Sequence, residues 1–336
     1  MGDVPRFGVE EEFLVVDPVS RAVVPLAGAV LRRAEPCLGA LVGGEITELQ
    51  VEARSEPCRT GAELYTQLTT ARQGLQAAAA AEGVRIVATG TPVLGNAVPA
   101  PVTVGPRQNL GNTTFRGLHH ELSFCALHVH VELPERDRAV LASNHLRPHL
   151  PALLALAANS PYWAERDTGY ASWRVMQWHR WPVAGPPPYF RSAAHYEQLV
   201  QILLDSGALV DEGTIFWDVR PSSHLPTLEV RVADVPTTVA ESVLLAVLVR
   251  ALVIGALAAV DRGDPGPELS PELLRLAYWR AARDGLSGHG IDVHTGRQLP
   301  TVELVWRLLS AARPALDAAG DLDRVTGWLQ RLLRAG

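Results

Sequence analysis

The sequence predicts a fold of the α+β class. Segments with strand character dominate the first two thirds of the 336 residues and connect irregularly with helices, whereas the part 237–336 is mostly helical. The regular strand–helix alternation of a doubly wound sheet is not visible. The length allows one large domain or two modest ones.

Six segments have the composition of β-strands, with apolar, β-branched or aromatic residues bounded by turn residues. They are Phe7–Asp17, Glu45–Arg54, Val84–Thr89, Leu122–Leu133, Thr214–Val219 and Thr227–Val235. The last two are joined by the turn-forming sequence RPSSHLP, which predicts a hairpin.

Helices are predicted where longer stretches run between breakers. These are Thr60–Glu82, Glu135–Asn159, Ser192–Gly207, 237–262, 270–285, 301–317 and 321–335. Pro148 and Pro151 are expected to break the second of them. Two segments rich in proline, glycine or tryptophan, 92–117 and Ser160–Phe190, are predicted to be long loops, and Trp181–Phe190 is a candidate lid or pocket wall.

The composition excludes several classes of function. All 30 basic residues are arginine, so the chain has no lysine for a Walker A loop, a pyridoxal phosphate Schiff base or a protein-kinase site. A protein of this composition that handles phosphates must use arginine, backbone amides or metal ions. The net charge of -6 argues against a nucleic-acid partner.

Nothing in the sequence favours a secreted or membrane-bound protein. The three cysteines have no CxxC spacing, so neither a zinc finger nor a disulfide framework is expected. The segment MGDVPRFGVEEEF lacks the basic and apolar regions of a signal peptide. The most apolar stretch, Val239–Val260, contains Glu241 and Arg250, and we interpret it as a buried core helix rather than a membrane span. We therefore expect a cytoplasmic protein.

Three consecutive acids lie inside the first predicted strand. Alternation places Glu10 and Glu12 on one face of that strand and Glu11 on the other. Like charges so close together repel, and a bound divalent cation would remove that repulsion. The alternative is a solvated edge strand that uses acids against aggregation.

Further acids and imidazoles recur in the other predicted strands. Glu52 lies in an apolar stretch, His128 and His130 share one strand face, and Glu229 shares another with Arg231. Each signal alone has an ordinary structural explanation, such as packing or an ion pair. Strands of one sheet would bring these side chains onto one surface, and such a surface suggests metal-assisted phosphoryl chemistry.

At these residues the sequence resembles the glutamate–cysteine ligase type 2 family, the carboxylate–amine ligases. The matching blocks, in order, are GVEEEFLVVDP, QVEARS, LHVHV, LALAANSPYW, DTGYASWR, RWPVAGPPPYF, WDVRPSS and TLEVRVADV. The resemblance covers nearly the whole chain. It implies one catalytic domain over residues 1–336 with a fold like that of glutamine synthetase, in which helices back an antiparallel, saddle-shaped sheet.

The resemblance also implies roles for individual residues. The metal ligands would be Glu10, Glu12, Glu45, Glu52, His128 and Glu229. Arg231 would lie near the γ-phosphate of ATP or a substrate carboxylate and, with Glu229, would contribute to binding ATP. Arg174 and Arg220 are candidates for carboxylate recognition.

The implied reaction is amide formation driven by ATP with Mg²⁺ or Mn²⁺. A carboxylate, glutamate in the family, would form an acyl phosphate that an amine such as cysteine attacks, with release of ADP and phosphate. A homodimer is the family expectation. Two alternatives stay open: a metal-dependent hydrolase, and a ligase relative that binds ligands without turnover.

The sequence departs from the family pattern on the side of the acceptor. The turn Gly90-Thr91-Pro92 lacks the family's histidine, the residue before LHVHV is Ala126 rather than glycine, and Pro106–Gly117 lacks the usual Arg-Tyr pair. The sequence ends at RLLRAG, where the resemblance leads us to expect a further basic helical segment. These departures leave the predicted metal ligands intact, so ATP use is better supported than cysteine as the amine.

Overall fold

A computed structural model of the chain describes residues 4–95 and 97–335. The strands are β1 (Phe7–Val16), β2 (Val42–Gly44), β3 (Gln50–Arg54), β4 (Arg85–Val87), β5 (Ala126–Glu132), β6 (Tyr162–Trp163), β7 (Arg166–Asp167), β8 (Ala184–Gly185), β9 (Phe216–Trp217), β10 (Val219–Pro221), β11 (Thr227–Asp234), β12 (His289–Ile291) and β13 (Gln298–Pro300). The α-helices are α1 (Ala27–Leu38), α2 (Gly61–Ala81), α3 (Pro106–Phe115), α4 (Arg136–Leu146), α5 (Leu150–Ala157), α6 (Trp173–Trp178), α7 (Ala193–Asp205), α8 (Val239–Val260), α9 (Pro271–Asp284), α10 (Thr301–Ala318) and α11 (Leu322–Ala335).

The main sheet is antiparallel and has seven strands. Its order is β10-β11-β5-β1-β3-β2, and β4 pairs with the C-terminal end of β1. The acidic strand β1 is therefore central and not an edge strand, so the alternative of a solvated edge is wrong. A register shift in β11 between Val230 and Ala233 marks a bulge next to Arg231.

One face of the sheet is apolar and packs on helices. Alternate residues such as Val9 of β1, Leu127 and Val129 of β5 and Val230 of β11 are buried in the largest hydrophobic cluster, which also contains α8 residues such as Val247. The period of two along each strand sends the intervening residues to the other face. The fold is thus α+β with an antiparallel sheet, as predicted. The sheet and the C-terminal helices share this core, and one domain over residues 1–336 stays a prediction.

Helix α8 runs through this core. Among the described residues it is the one helix long and apolar enough to cross a membrane, and 67% of its most apolar window is buried inside the protein. It begins with a capping box in which Thr238 and Glu241 exchange hydrogen bonds with each other's backbone. Its Arg250 donates to the carbonyl oxygen of Arg59 at 2.8 Å. This burial supports the interpretation as a core helix.

Several predicted elements need correction. The strand predicted over Glu45–Arg54 is shorter, because residues 45–49 form the connection between β2 and β3. The loop predicted over 92–117 contains α3, which begins with Pro106 at its first position. The strand predicted over Thr214–Val219 is divided, since β9 pairs in parallel with β8 outside the main sheet. The loop predicted over Ser160–Phe190 contains α6 and short strand pairs.

Candidate active site

The polar face of the sheet collects most of the residues predicted from the sequence. In the strand register, Glu10 lies opposite His128 of β5, and Glu12 lies opposite Glu52 of β3. Cross-strand partners share a face with Cβ atoms about 5 Å apart. Glu12, Glu52 and His128 are buried. Acids and imidazoles that are distant in the sequence therefore meet on one surface.

Glu10, His128 and Glu229 form the first group. One ligand atom from each lies within 4.8 Å of the others, and His128 Nδ1 is 3.2 Å from Glu10 Oε2. Burial, then the charge of Arg231, lowers the pKa of His128 to about 4, so its imidazole is neutral near pH 7 and can act as a ligand. Burial would raise the pKa of Glu10, but the hydrogen bond with His128 and the nearby His130 imidazole hold it well below its ordinary value.

His130 belongs to the same surface, although the predicted ligand set did not include it. Its Nε2 lies 3.6 Å from Glu10 Oε1, and its Nδ1 lies 2.9 Å from the Thr227 hydroxyl. Nε2 is buried and has no hydrogen-bond partner among the described residues. The alternation of His128 and His130 along one strand was the signal that pointed to it.

Glu12, Glu45 and Glu52 form the second group. Burial raises the pKa of each carboxyl, and repulsion from neighbouring acids adds to it: from Glu45 on Glu12 and Glu52, and from Glu10 on Glu45. Arg54 forms an ion pair with Glu52, and the backbone N–H of Ala126 donates to Glu12 at 2.8 Å. Arg54 pairs with one of these acids and Arg231 attracts Glu12 and Glu45, but the three carboxyls still repel one another, and a bound cation would remove that repulsion.

Two arginines hold Glu229. Arg220 Nε donates to Oε2 at 2.9 Å, and Arg231 Nη1 donates to Oε1. Burial would raise the pKa of Glu229, but these two charges hold it well below its ordinary value. Arg220 also donates to the carbonyl oxygen of Gly213 at 3.1 Å. Its place behind Glu229 favours a positioning role over the predicted contact with a substrate carboxylate.

Arg231 lies between the two groups of acids. Its Nη1 is 3.4 Å from His128 Nδ1, and its Nε is buried without a hydrogen-bond partner among the described residues. A buried donor of this kind suits an anionic ligand, because an unmade bond to a charged group is costly. The placement is compatible with the predicted contact to a phosphate.

Arg174 is held by a residue that sequence reasoning missed. Its Nε donates to Asp234 Oδ1 at 2.7 Å, and its Nη2 donates to the carbonyl oxygen of Val232 at 2.8 Å. Asp234 also accepts hydrogen bonds from Ser160 at 2.6 Å and Ser172 at 3.0 Å. Asp234 thus fixes the orientation of Arg174, and Nη1 of Arg174 has no hydrogen-bond partner among the described residues.

Two pockets adjoin the polar face. The pocket that we call the aromatic pocket is narrow, about 60 Å³, and lies beside Glu12 and His128. Its lining residues are Glu12, Glu45, Ile46, Gln50, Leu122, Phe124, Ala126, His128, Arg174, Trp178, Phe216 and Arg231. The other, the strand-end pocket, is about 370 Å³, and Glu10, Arg54, His130, Leu225 and Thr227 are among its lining residues. Glu10 lines the strand-end pocket and Glu12 lines the aromatic pocket, so the two pockets lie at opposite ends of the row of acids on β1.

Comparisons with known proteins agree with this arrangement. The model of glutamate–cysteine ligase family 2 matches residues 6–336. A protein of Mycolicibacterium vanbaalenii, provisionally named glutamate–cysteine ligase 2-2, is 46% identical over 100% of this chain and 92% of its own length. A relative in Saccharopolyspora erythraea, provisionally named glutamate–cysteine ligase 2-1, is 46% identical over 98% of this chain and 87% of its own length.

The chain belongs to glutamate–cysteine ligase family 2. Its fold is also similar to that of solved ligases. The glutamate–cysteine ligase of Francisella tularensis, solved with AMP, has a TM-score of 0.70 at 13% identity and covers 98% of this chain and 82% of its own. A bifunctional glutathione synthetase from Pasteurella multocida has a TM-score of 0.67 at 14% identity, over 98% of this chain and 50% of its own.

Membership of this ligase family assigns the class of reaction. The protein is an ATP-dependent carbon–nitrogen ligase of the glutamate–cysteine ligase kind. This assignment favours the predicted ligase over the metal-dependent hydrolase.

The donor atoms of the ligase fit hard divalent cations. Carboxylate oxygens predominate in both groups, with an imidazole in the first, and this set suits Mg²⁺ or Mn²⁺ better than zinc. Among the described residues, the first group is the one that brings three ligand atoms within 4.8 Å of one another. Each Glu229 oxygen keeps a lone pair beside its arginine partner. The unpartnered Nε2 of His130 faces the same row. The residues therefore fit the predicted metals, whose binding stays a prediction.

Proposed function

We propose that this ligase activates a carboxylate, with glutamate as the first candidate, as an acyl phosphate and transfers the acyl group to an amine. The carboxylate oxygen attacks the γ-phosphorus of ATP, ADP leaves, and the amine nitrogen displaces phosphate from the acyl carbon. The observation that carries the proposal is the row of acids and imidazoles with a pocket at each end. Such a row can hold a triphosphate between a nucleotide and the second substrate.

The two groups of acids would hold Mg²⁺ or Mn²⁺. Glu10, His128 and Glu229 would provide one site, with His130 beside it, and Glu12, Glu45 and Glu52 would provide the other. Metal ions in such sites neutralise the charge on a transferring phosphoryl group. Arg231, with its unpartnered Nε, would donate to the phosphoryl oxygens between the groups.

The wider strand-end pocket would receive the nucleotide. A volume of about 370 Å³ is within the range of small-ligand pockets. Arg54 lines this pocket beside Glu10 and carries a positive charge towards the phosphates. With no lysine in the chain, arginine and metal ions are the charged groups that can oppose a triphosphate.

The narrow aromatic pocket would receive the carboxylate and the amine. Arg174 lines it and offers a nitrogen to a carboxylate in a direction fixed by Asp234. Trp178 and Phe216 would shield the acyl phosphate from water. The predicted lid Trp181–Phe190 lies next to this wall, since the Trp181 and Phe216 rings are 5.4 Å apart.

The test is an assay of product formation with ATP, Mg²⁺, glutamate and a mixture of amines. We expect ADP, phosphate and a new amide by mass spectrometry, all three lost in Glu10→Gln and on chelation of the metal. Production of AMP, or ATP binding with no turnover across the mixture, would contradict the proposal. The second result would favour the relative that binds ligands without turnover. The homodimer and the cytoplasmic location stay predictions.

A further inference from the structure

The aromatic pocket has an apolar wall that the proposed reaction does not explain. Ile46, Leu122, Phe124, Trp178 and Phe216 line it. The last four belong to one hydrophobic cluster, and Ile46 packs against that cluster. The rings of Trp178 and Phe216 are 4.7 Å apart, so each supports the other. The wall is therefore a fixed apolar surface.

The polar side chains of this pocket are largely engaged. The Gln50 amide nitrogen donates to the carbonyl oxygen of Phe124 at 2.7 Å, and its oxygen accepts from the Thr47 hydroxyl at 2.7 Å. Glu12 and His128 belong to the row that would hold the metal ions. Gln50 therefore offers little to a ligand, and a ligand in the pocket meets apolar surface and few free polar groups.

The positive charges of the lining are enough for one amino-acid substrate. Arg231 is bonded to Glu229 at the phosphoryl end, and Arg174 has a nitrogen left for one carboxylate. Glutamate would use both arginines: its reacting carboxylate would lie at the phosphoryl end near Arg231, and its other carboxylate would bind Arg174. The residues that line the pocket include no third arginine, so the carboxylate of an amino-acid acceptor would find no partner of this kind there.

We infer that the acceptor is a primary amine with a short apolar group and no carboxylate, rather than an amino acid. The inference rests on the proposed function and names the acceptor class of the same site. The amine nitrogen forms a bond to the acyl carbon, the carbon–oxygen bond to phosphate breaks, and phosphate leaves with the electron pair. The nitrogen loses its proton to water or to a carboxylate of the pocket. The apolar group of the amine packs on Ile46 and Phe124.

The inference is tested with acceptor pairs that differ by one carboxylate. The pairs are cysteamine against cysteine and isobutylamine against valine, each with ATP, Mg²⁺ and glutamate. We expect kcat/KM to be at least about tenfold higher for the member without the carboxylate, because a carboxylate left unpaired in a pocket is strongly rejected. Equal or better use of cysteine and valine would overturn the inference and leave the ligase reaction standing. No turnover with any amine would overturn both.

A variant tests the same point in the opposite direction. Ile46 is half-buried in a connecting segment, so Ile46→Arg adds the missing cation to the pocket wall at little risk to folding. We expect it to shift the kcat/KM ratio towards cysteine by about tenfold, as one new charge-assisted contact allows. Ile202→Arg makes the same change on the exposed face of α7 and should leave the ratio unchanged. An unchanged ratio in a folded Ile46→Arg protein would also overturn the inference.

Discussion

Arg72 of α2 donates to both carboxylate oxygens of Glu11, with Nε to Oε2 at 2.9 Å and Nη2 to Oε1 at 2.6 Å. Ser242 of α8 donates to the same carboxylate at 2.5 Å. Glu11 is fully buried and points away from Glu10 and Glu12. The middle acid of the triplet thus ties two helices to the central strand.

Glu11→Gln should destabilise the fold severely. The variant leaves the Arg72 charge buried without its partner, and loss of one member of such a pair costs about 3–5 kcal/mol. Urea unfolding followed by circular dichroism measures the change. The matched control is Glu303→Gln, which removes an exposed ion pair with Arg307 on α10. Equal stability of the two variants would show that the buried pair contributes nothing special.

Mg²⁺ should stabilise the protein more as the pH rises. A carboxyl with a raised pKa in the folded state favours folding at low pH, and this contribution is lost as the pH rises through the folded pKa. Glu12, Glu45 and Glu52 have such raised pKa values without a cation. Since a cation replaces the protons, the Tm shift caused by Mg²⁺ should grow between about pH 5 and about pH 8.

Differential scanning fluorimetry with and without Mg²⁺ across that pH range gives the comparison. Glu52→Gln should reduce the shift at high pH and its slope. A shift that is the same at every pH would mean that these carboxyls do not bind the ion.

Asp234→Asn should weaken carboxylate binding without affecting ATP. The substitution removes the charge that orients Arg174, and a misplaced recognition group costs about 10- to 100-fold in kcat/KM. We expect the KM for glutamate to rise while the KM for ATP stays constant, which a general loss of stability would not produce. Ser172→Ala removes one hydrogen bond from an uncharged donor to Asp234, leaves the Asp234–Arg174 ion pair in place, and serves as the control. An equal rise in both KM values would refute the positioning role.

Asp218→Asn should remove part of the pH dependence of stability. Burial raises the pKa of Asp218 from 3.8 to about 6. The native state therefore retains a proton that the unfolded chain has lost, and the protein loses about 3 kcal/mol as the pH rises through this interval. The variant should be more stable than the parent at neutral pH and lose less stability between about pH 4 and pH 6. Parallel profiles of unfolding free energy against pH would contradict this expectation.

The sequence revealed the row of acids better than the arginines around it. Alternation placed Glu10 and Glu12 together, and strand pairing then brought His128 opposite Glu10. Arg174 depends on Asp234, a partner 60 residues away that no local pattern identifies. Tertiary contacts decide the role of each arginine. The sequence could therefore identify these residues, but it could not tell an arginine that contacts substrate from one that positions another side chain.

The secondary structure was predicted wrongly for helix α3 and for the first half of the strand Glu45–Arg54. Helix α3 has glycine and asparagine in its sequence PRQNLGNTTF, and these residues have low helix propensity. The first half of the predicted strand Glu45–Arg54 instead bonds to a distant segment. The backbone N–H of Glu48 donates to the carbonyl oxygen of Pro101, and the backbone N–H of Thr103 donates to that of Ile46. The helix was thus missed because of its low propensity, whereas contacts with a distant segment decided the conformation of residues 45–49.

The bidentate grip of Arg72 on Glu11 has a consequence for how the N-terminal strand tolerates insertions and deletions. Adding or losing one residue ahead of the acids would exchange the two sides of β1. Glu10 or Glu12 would then take the place of Glu11 beside Arg72, and the other of these two acids would enter the apolar core without a partner. The pairing of Glu11 with Arg72 therefore fixes the register of β1. Length changes should be accepted before Phe7 or after Val16, and rejected between them.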